Sequence, residues 1–196
     1  EWFGRRFNII SGLNDDTLLF TARTFIHNSA IREQILRMIC CVDSCIKNVD
    51  VEENVREIQT KNSPVEIINQ LGINIPPEIG QKIEQHELNI QSSHELYENG
   101  LVVGSQSLNF KYESLGTTKL FALLGPFFDT IINAGVLVVD EFGASLHTQL
   151  SMELLKLFYT PLNSSAAQLI IATHDTYLLR KDLLRRDQLW FAEKGN

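Results

Sequence analysis

The chain has 196 residues, of which 44% are hydrophobic and 21% are charged, a composition typical of globular proteins and unlike that of disordered segments. Its net charge of −7 argues against a protein held to nucleic acid mainly by overall charge, although a local basic patch is compatible with it. No apolar run approaches the ~20 residues of a membrane-spanning helix, so we expect a cytoplasmic protein with no membrane partner.

Two helices are predicted near the amino end. Asn14 or Asp15 could cap a first helix that continues through Phe25, and Asn28 or Ser29 could cap a second. The apolar residues of the second helix recur at helical spacing and predict one buried stripe: Ile31, Ile35, Met38, Ile39, Val42 and Ile46. We therefore expect residues 1–93 to form a helical or mixed lobe.

The three cysteines of the chain, Cys40, Cys41 and Cys45, lie on or just after this second helix, with no histidine nearby in the sequence. A closed zinc site normally has four ligands in two spaced pairs. We favour reduced thiols on a helix, with a metal or redox role as the alternative.

The middle of the chain predicts more helix and then a hairpin. Ser63-Pro64-Val65-Glu66 has the layout of a capping box, Gly72 would end that helix, and Pro76-Pro77 would begin a short helical stretch. The pattern from Glu95 to Phe110 becomes strand-like. Asn99-Gly100 lies where a tight hairpin turn requires positive φ.

The second half of the chain alternates strands and helices. A polar segment, residues 113–118, opens an apolar helix. The elements that follow are a strand at Val136–Val139, a helix from Leu150 to Phe158, a strand at Leu169–Ala172 and a short strand at Gln188–Ala192. This alternation predicts an α/β layered core with parallel central strands.

Two polar clusters follow the predicted buried strands, Asp140-Glu141 and His174-Asp175. The carboxyl ends of parallel strands form the edge of the sheet at which ligands bind. A carboxylate there can hold Mg²⁺ beside nucleotide phosphates, and Glu141 is placed to orient or deprotonate water. The alternative is that two acidic residues simply end a strand and begin a turn.

A second candidate site is the start of the predicted apolar helix, where Ser114 and Gly116 lie. Free backbone N–H groups at a helix start suit an anion, and glycine lets the backbone approach a phosphate closely. An ordinary helix cap uses the same residue types. His27, His86 and His94 are interpreted as structural. The basic cluster of Arg180, Lys181, Arg185 and Arg186 is interpreted as solvated, with DNA or effector contact as the alternative.

Taken together and in order, these segments resemble the carboxyl-terminal half of an ABC-type ATPase. The branch in question includes the RecF and SMC proteins and the AAA-family ATP-binding proteins of prokaryotic defence and restriction-associated loci. Residues 113–120 match the signature of that family, 136–141 its Walker B motif and 144–147 its D-loop. Residues 171–175 match the switch histidine, and 184–194 the strand after it. The similarity covers roughly residues 94–194.

The resemblance implies a P-loop NTPase-type sheet with flanking helices, of which residues 94–196 would form the carboxyl-terminal half. It implies ATP and Mg²⁺ as cofactors, Asp140 on the metal, and Glu141 and His174 as catalytic residues. The residues implied to contact nucleotide are Ser114, Gly116, Thr117, Ser145 and His147. It also implies a head-to-tail dimer that controls an effector, a nuclease, in anti-phage defence. DNA binding is compatible with the resemblance but is not indicated by the net charge.

The sequence departs from the family pattern at two places. It contains no G-x-x-x-x-G-K-[ST] motif, so we expect the Walker A loop to lie outside these residues, in a lobe preceding Glu1. Phe142-Gly143 stands where the family more often has Leu-Asp. The alternative to an ATPase is an assembly scaffold that is gated by nucleotide and hydrolyses it slowly or not at all.

Overall fold

The computed structural model describes residues 6–11, 15–58, 83–144, 146–164 and 166–193. The chain forms two compact units, one of residues 1–50 with 90–196 and the other of residues 51–89. The predicted helix at 63–72 and the stretch that begins at Pro76 lie outside the described residues. Ser145, a predicted nucleotide contact, also lies outside them.

A three-stranded parallel sheet confirms the predicted α/β core. Its strands are β1 (Phe7–Ser11), β5 (Val136–Asp140) and β6 (Gln168–Ile171), in the order β1-β5-β6. Ser11 is in register with Asp140, and Val139 with Ile171, so all three strands end at one edge. The apolar run of β5 is buried as expected for a central strand.

Helices α1 (Asp15–His27) and α2 (Ser29–Val42) confirm the two predicted amino-terminal helices. The Asn28 side chain caps α2 by accepting a hydrogen bond from the Ile31 amide. Ile31, Ile35 and Ile39 of the predicted stripe are fully buried, whereas Met38 and Val42 are partly exposed. The inclusion of Ile46 in this helix was wrong, because α2 ends at Val42.

The second sheet has the order β2-β3-β4 and contains more strand than the sequence predicted. Ile46 is the first residue of β2 (Ile46–Ile58), and β3 (Ile83–Glu98) begins 12 residues before the predicted start at Glu95. The hairpin to β4 (Leu101–Asn109) turns at Asn99 and Gly100, with φ of 51° and 80°. The predicted tight turn is thereby confirmed.

Helix α3 (Leu115–Ile132) is the apolar helix predicted after the polar segment. It is long and apolar enough to cross a membrane by length and composition alone, which the sequence reading did not anticipate. About 67% of it is buried inside the protein, where it packs against α1, α2 and β5. Burial of this kind is what the core helix of a globular domain shows.

Helix α4 (Thr148–Leu157) lies between β5 and β6, close to its predicted position. The strand predicted at Gln188–Ala192 was wrong: Arg186–Gln188 form a short 3₁₀ turn, and residues 189–193 have no regular structure. The side chains of Trp190 and Phe191 are 91% and 78% exposed. Without burial of these rings, the segment has no packing free energy to offset the entropy of ordering it as a strand.

Candidate functional site at the carboxyl edge of the parallel sheet

The edge of the sheet presents the two predicted acidic residues side by side. Asp140 is the last residue of β5, and Glu141 is the first residue of the turn after it; both are exposed. The amide of Glu141 donates a hydrogen bond to Asp140 Oδ1 over 3.0 Å. Glu141 has φ of 54°, in the left-handed region that few non-glycine residues occupy. Exposed carboxylates in this position can reach a metal ion or a water molecule.

The turn that carries Glu141 is tied to the segment after β6. The amide of Phe142 donates to the Ala172 carbonyl over 2.9 Å, and the hydroxyl of Thr173 donates to the Phe142 carbonyl over 2.7 Å. The Phe142 ring is buried and stacks on Phe127 of α3 at 6.2 Å. Phe142, where the family more often has Leu, therefore anchors the turn in the core while the acidic residues face outward.

These bonds bring the predicted switch histidine to the same edge as the acidic pair. His174 is exposed and directly follows Thr173, whose hydroxyl holds the Glu141 turn. Its neighbour Asp175 accepts a hydrogen bond from the Thr148 hydroxyl of α4 over 3.2 Å. Two hydrogen bonds thus join the segment of Asp140 and Glu141 to that of His174, and a third ties the His174 segment to α4.

The predicted signature residues form the capped start of α3. Ser114 is the N-cap, and its hydroxyl oxygen accepts from the Thr117 amide over 3.1 Å. Ser114 is exposed and Gly116 is half-buried. Thr117 is buried, and its hydroxyl lies 2.8 Å from Ser114 Oγ and 3.3 Å from Asp43 Oδ2. Ser114 is therefore the accessible hydroxyl of this set, whereas Thr117 contacts the interior of its own chain.

His147 begins α4 rather than lying free in a loop. It is exposed, and its Nδ1 accepts a hydrogen bond from the Gln149 amide over 3.2 Å, which is an N-cap contact. In this tautomer Nε2 carries the proton and remains a donor. The ring can therefore cap the helix through one nitrogen and present the other to a ligand.

Lys119 is a basic residue of the site to which the sequence reading gave no role. Its ammonium group donates to the Ala144 carbonyl over 3.2 Å, which links α3 to the turn after Glu141. Lys119, Asp140 and Glu141 line a cavity of about 40 Å³, room for a water molecule or two. The sequence did carry a signal for this role: Lys119 lies three residues after Gly116, and residues at that spacing share a face of a helix.

The carboxylates present suit Mg²⁺ rather than a metal held by the protein alone. Among the residues that the structure describes, no group of three or more His, Cys, Asp and Glu side chains could enclose a metal ion. Mg²⁺ keeps several waters and is usually bound by one or two carboxylates together with substrate phosphates. Asp140 offers such a carboxylate, with Glu141 next to it.

The predicted basic cluster is partly neutralised by its own aspartates. Arg180 makes two hydrogen bonds to Asp182, at 3.0 and 2.8 Å, and Arg185 makes two to Asp187, at 3.1 and 2.9 Å. These hydrogen bonds hold the pKa values of both aspartates below their ordinary range. Paired, exposed arginines fit the solvated interpretation of the cluster.

Comparison with known proteins assigns the chain to a family. The family described as "AAA domain, putative AbiEii toxin, Type IV TA system" matches residues 46–180, which is more than half of the chain. No curated protein matches the sequence. The matched range contains the signature residues, both acidic residues of the β5 edge and His174. The chain therefore belongs to this family of AAA domains, which are nucleotide-binding and ATPase-like.

Proposed function

We propose that the chain contributes Mg²⁺-dependent ATP hydrolysis to a cytoplasmic head-to-tail dimer that controls an effector, a nuclease in the anti-phage setting. The observation that carries the proposal is the joint placement of Asp140, Glu141 and His174 at one edge of a parallel sheet. Polar residues at this edge are where open α/β sheets bind nucleotides.

The residues divide the chemistry as follows. Asp140 would hold Mg²⁺, which neutralises charge on the β- and γ-phosphates when bound. Glu141 would orient the attacking water and accept its proton, and His174 would donate a hydrogen bond to a γ-phosphate oxygen. Lys119, which lines the same cavity, adds a positive charge beside the two carboxylates.

The signature segment would act on nucleotide held by the facing subunit. Ser114 is exposed at the start of α3, where the unpaired N–H groups and the positive end of the helix dipole attract a phosphate. The family resemblance implies that the signature closes on nucleotide held by the facing subunit, so the phosphate would come from across a dimer. ATP would then hold the dimer closed, and hydrolysis would release it.

The substitution Glu141→Gln tests the enzymatic part of the proposal in the full-length protein. It replaces the carboxylate with an amide of nearly equal size, so ATP binding and dimerisation should persist. A general base is worth roughly 10²–10⁴ in rate, and single-turnover hydrolysis should fall by at least that factor. Glu98→Gln, a change of an exposed glutamate beside the hairpin turn, is the matched control and should hydrolyse normally.

The second candidate is an assembly scaffold gated by nucleotide. It is favoured by the use of the Ser114 hydroxyl in capping α3, the role that this residue type has at an ordinary helix start. The same assay separates the two functions. Parent protein that binds ATP and dimerises without hydrolysing it in a single turnover is a scaffold. Glu141→Gln protein that turns over normally contradicts the assignment of the base.

A further inference from the structure

Three polar side chains outside the proposed nucleotide site form one hydrogen-bonded cluster, in which only His94 is partly exposed: Ser92 and His94 of β3, and Glu113. Ser92 is fully buried, and the side chain of Glu113 is only 7% exposed. His94 Nε2 lies 2.6 Å from Glu113 Oε1, and the Ser92 hydroxyl donates to the same oxygen. Both partners therefore converge on one carboxylate oxygen.

This arrangement does not suit nucleophilic catalysis. A serine nucleophile must be reachable by substrate, yet Ser92 is completely enclosed. Its hydroxyl also lies 3.2 Å from the Leu108 carbonyl of β4, which keeps it within the sheet. The cluster instead attaches the carboxylate of Glu113 to the sheet, since a buried carboxylate is stable only where it is hydrogen-bonded.

The attachment point is next to the proposed trans-acting residue. Glu113 immediately precedes Ser114, the N-cap of α3, and follows the short 3₁₀ turn Phe110–Tyr112 that leaves β4. On the other side of Ser114, Thr117 is held by Asp43, which follows α2. The start of α3 is therefore held from two directions, while Ser114 between the two contacts stays exposed.

We propose that Glu113 is a positioning residue that orients Ser114 for contact with nucleotide on the facing subunit. The inference rests on the proposed function, because it assumes that the signature acts across a dimer. The bonds from Ser92 and His94 fix the backbone just before the N-cap. Without them the chain between β4 and α3 can rotate, and Ser114 loses the geometry that the facing phosphate requires.

The test compares Glu113→Ala, Glu113→Gln and the exposed control Glu98→Ala in the full-length protein. We expect Glu113→Ala to weaken the ATP-dependent dimer at least tenfold by sedimentation. Binding of a fluorescent ATP analogue to the separate subunit should change less than twofold. Glu113→Gln keeps an oxygen that can accept from Ser92 and His94, so it should recover most of the loss. Glu98→Ala should match the parent.

A merely structural role gives a different result. If Glu113→Ala lowers the melting temperature but leaves ATP-dependent dimerisation intact at temperatures where it is folded, the proposal is overturned. If Glu113→Ala does not fold, His94→Ala replaces it, because alanine cannot donate to Glu113 while Ser92 stays bonded to it. An unchanged dimerisation constant in His94→Ala overturns the proposal, and a threefold or greater weakening supports it.

The substitution Ser114→Arg separates this inference from the function on which it rests. A large charged side chain at an exposed signature position should block closure of the dimer. If Ser114→Arg blocks it and Glu113→Ala does not, the positioning role is wrong and the proposed function stands. If Ser114→Arg dimerises with ATP as the parent does, the trans contact is wrong and the positioning role falls with it.

Discussion

Helix α3 contains a proline at Pro126, and the structure shows how the protein accommodates it. Proline has no amide hydrogen, so it cannot donate the helical bond to the carbonyl of Ala122, four residues earlier. The hydroxyl of Thr21 in α1 donates to that carbonyl instead, over 2.6 Å. Thr21 is fully buried, so no water can replace its hydroxyl. We expect Thr21→Val, which replaces the hydroxyl with a methyl group, to leave the carbonyl without its donor.

The size of the effect follows from these contacts. A buried group left without a hydrogen bond costs about 1–3 kcal/mol, and the methyl gained from valine returns up to ~0.8 kcal/mol. We therefore expect Thr21→Val to lower the free energy of unfolding by about 1–2 kcal/mol. In a Pro126→Ala background the restored amide can donate to Ala122, so the same change should cost under about 0.5 kcal/mol.

A double-mutant cycle in urea measures this coupling directly. Thr130→Val is the matched control, because the Thr130 hydroxyl is buried and has no hydrogen-bond partner among the described residues. That change should be neutral or stabilising. Additivity of Thr21→Val and Pro126→Ala within about 0.5 kcal/mol would refute the reasoning, since it would mean that the two residues do not share the carbonyl.

Two further predictions concern backbone strain and buried charge. Glu141→Gly should raise the free energy of unfolding by about 0.5–1 kcal/mol, because glycine adopts φ of 54° without strain, and it should abolish turnover because the carboxylate is lost. Glu141→Ala should lose turnover without the gain in stability. Urea unfolding measures the first effect and a hydrolysis assay the second. Burial raises the pKa of the Asp129 carboxyl, and the hydrogen bond from Asn133 offsets only part of that rise. The stability that this group contributes is therefore present at acid pH and is lost as the pH rises through the raised pKa. Asp129→Asn should therefore gain stability over the parent at neutral pH and not at acid pH, and equal differences at both would contradict this.

Local patterns predicted the elements that depend on neighbouring residues. The apolar spacing of α2, the run of aliphatic residues in β5 and the Asn99-Gly100 turn each carry their signal within a few positions of the chain. The predictions from sequence were wrong where contacts between distant residues determine the secondary structure. Ile46 fits the spacing of α2, but the helix ends at Val42, and Ile46 instead joins a strand of the β2-β3-β4 sheet.

The candidate site shows the same division. Asp140, Glu141 and His174 could be placed from sequence because each follows a short buried strand, and parallel strands end at a common edge. The bonds of Thr21 to Ala122 and of Ser92 to Glu113 join residues 101 and 21 positions apart, and no periodicity encodes them. Lys119 was likewise recognised only once its contact with Ala144 placed it beside the two acidic residues.

The positive φ of Glu141 helps to decide whether Asp140 and Glu141 form a site or simply end a strand. Asn99, Ala134 and Ala166 also have positive φ among the described residues, so strain alone does not identify a site. Glu141 differs in what its turn carries, which is a carboxylate beside Asp140; Phe142 is bonded to Ala172 and to Thr173, so this turn is also held by the end of the next strand. The same bonds place the His174 segment beside the two carboxylates. A backbone that is costly to form and that brings these groups together supports our proposal of chemistry at this edge.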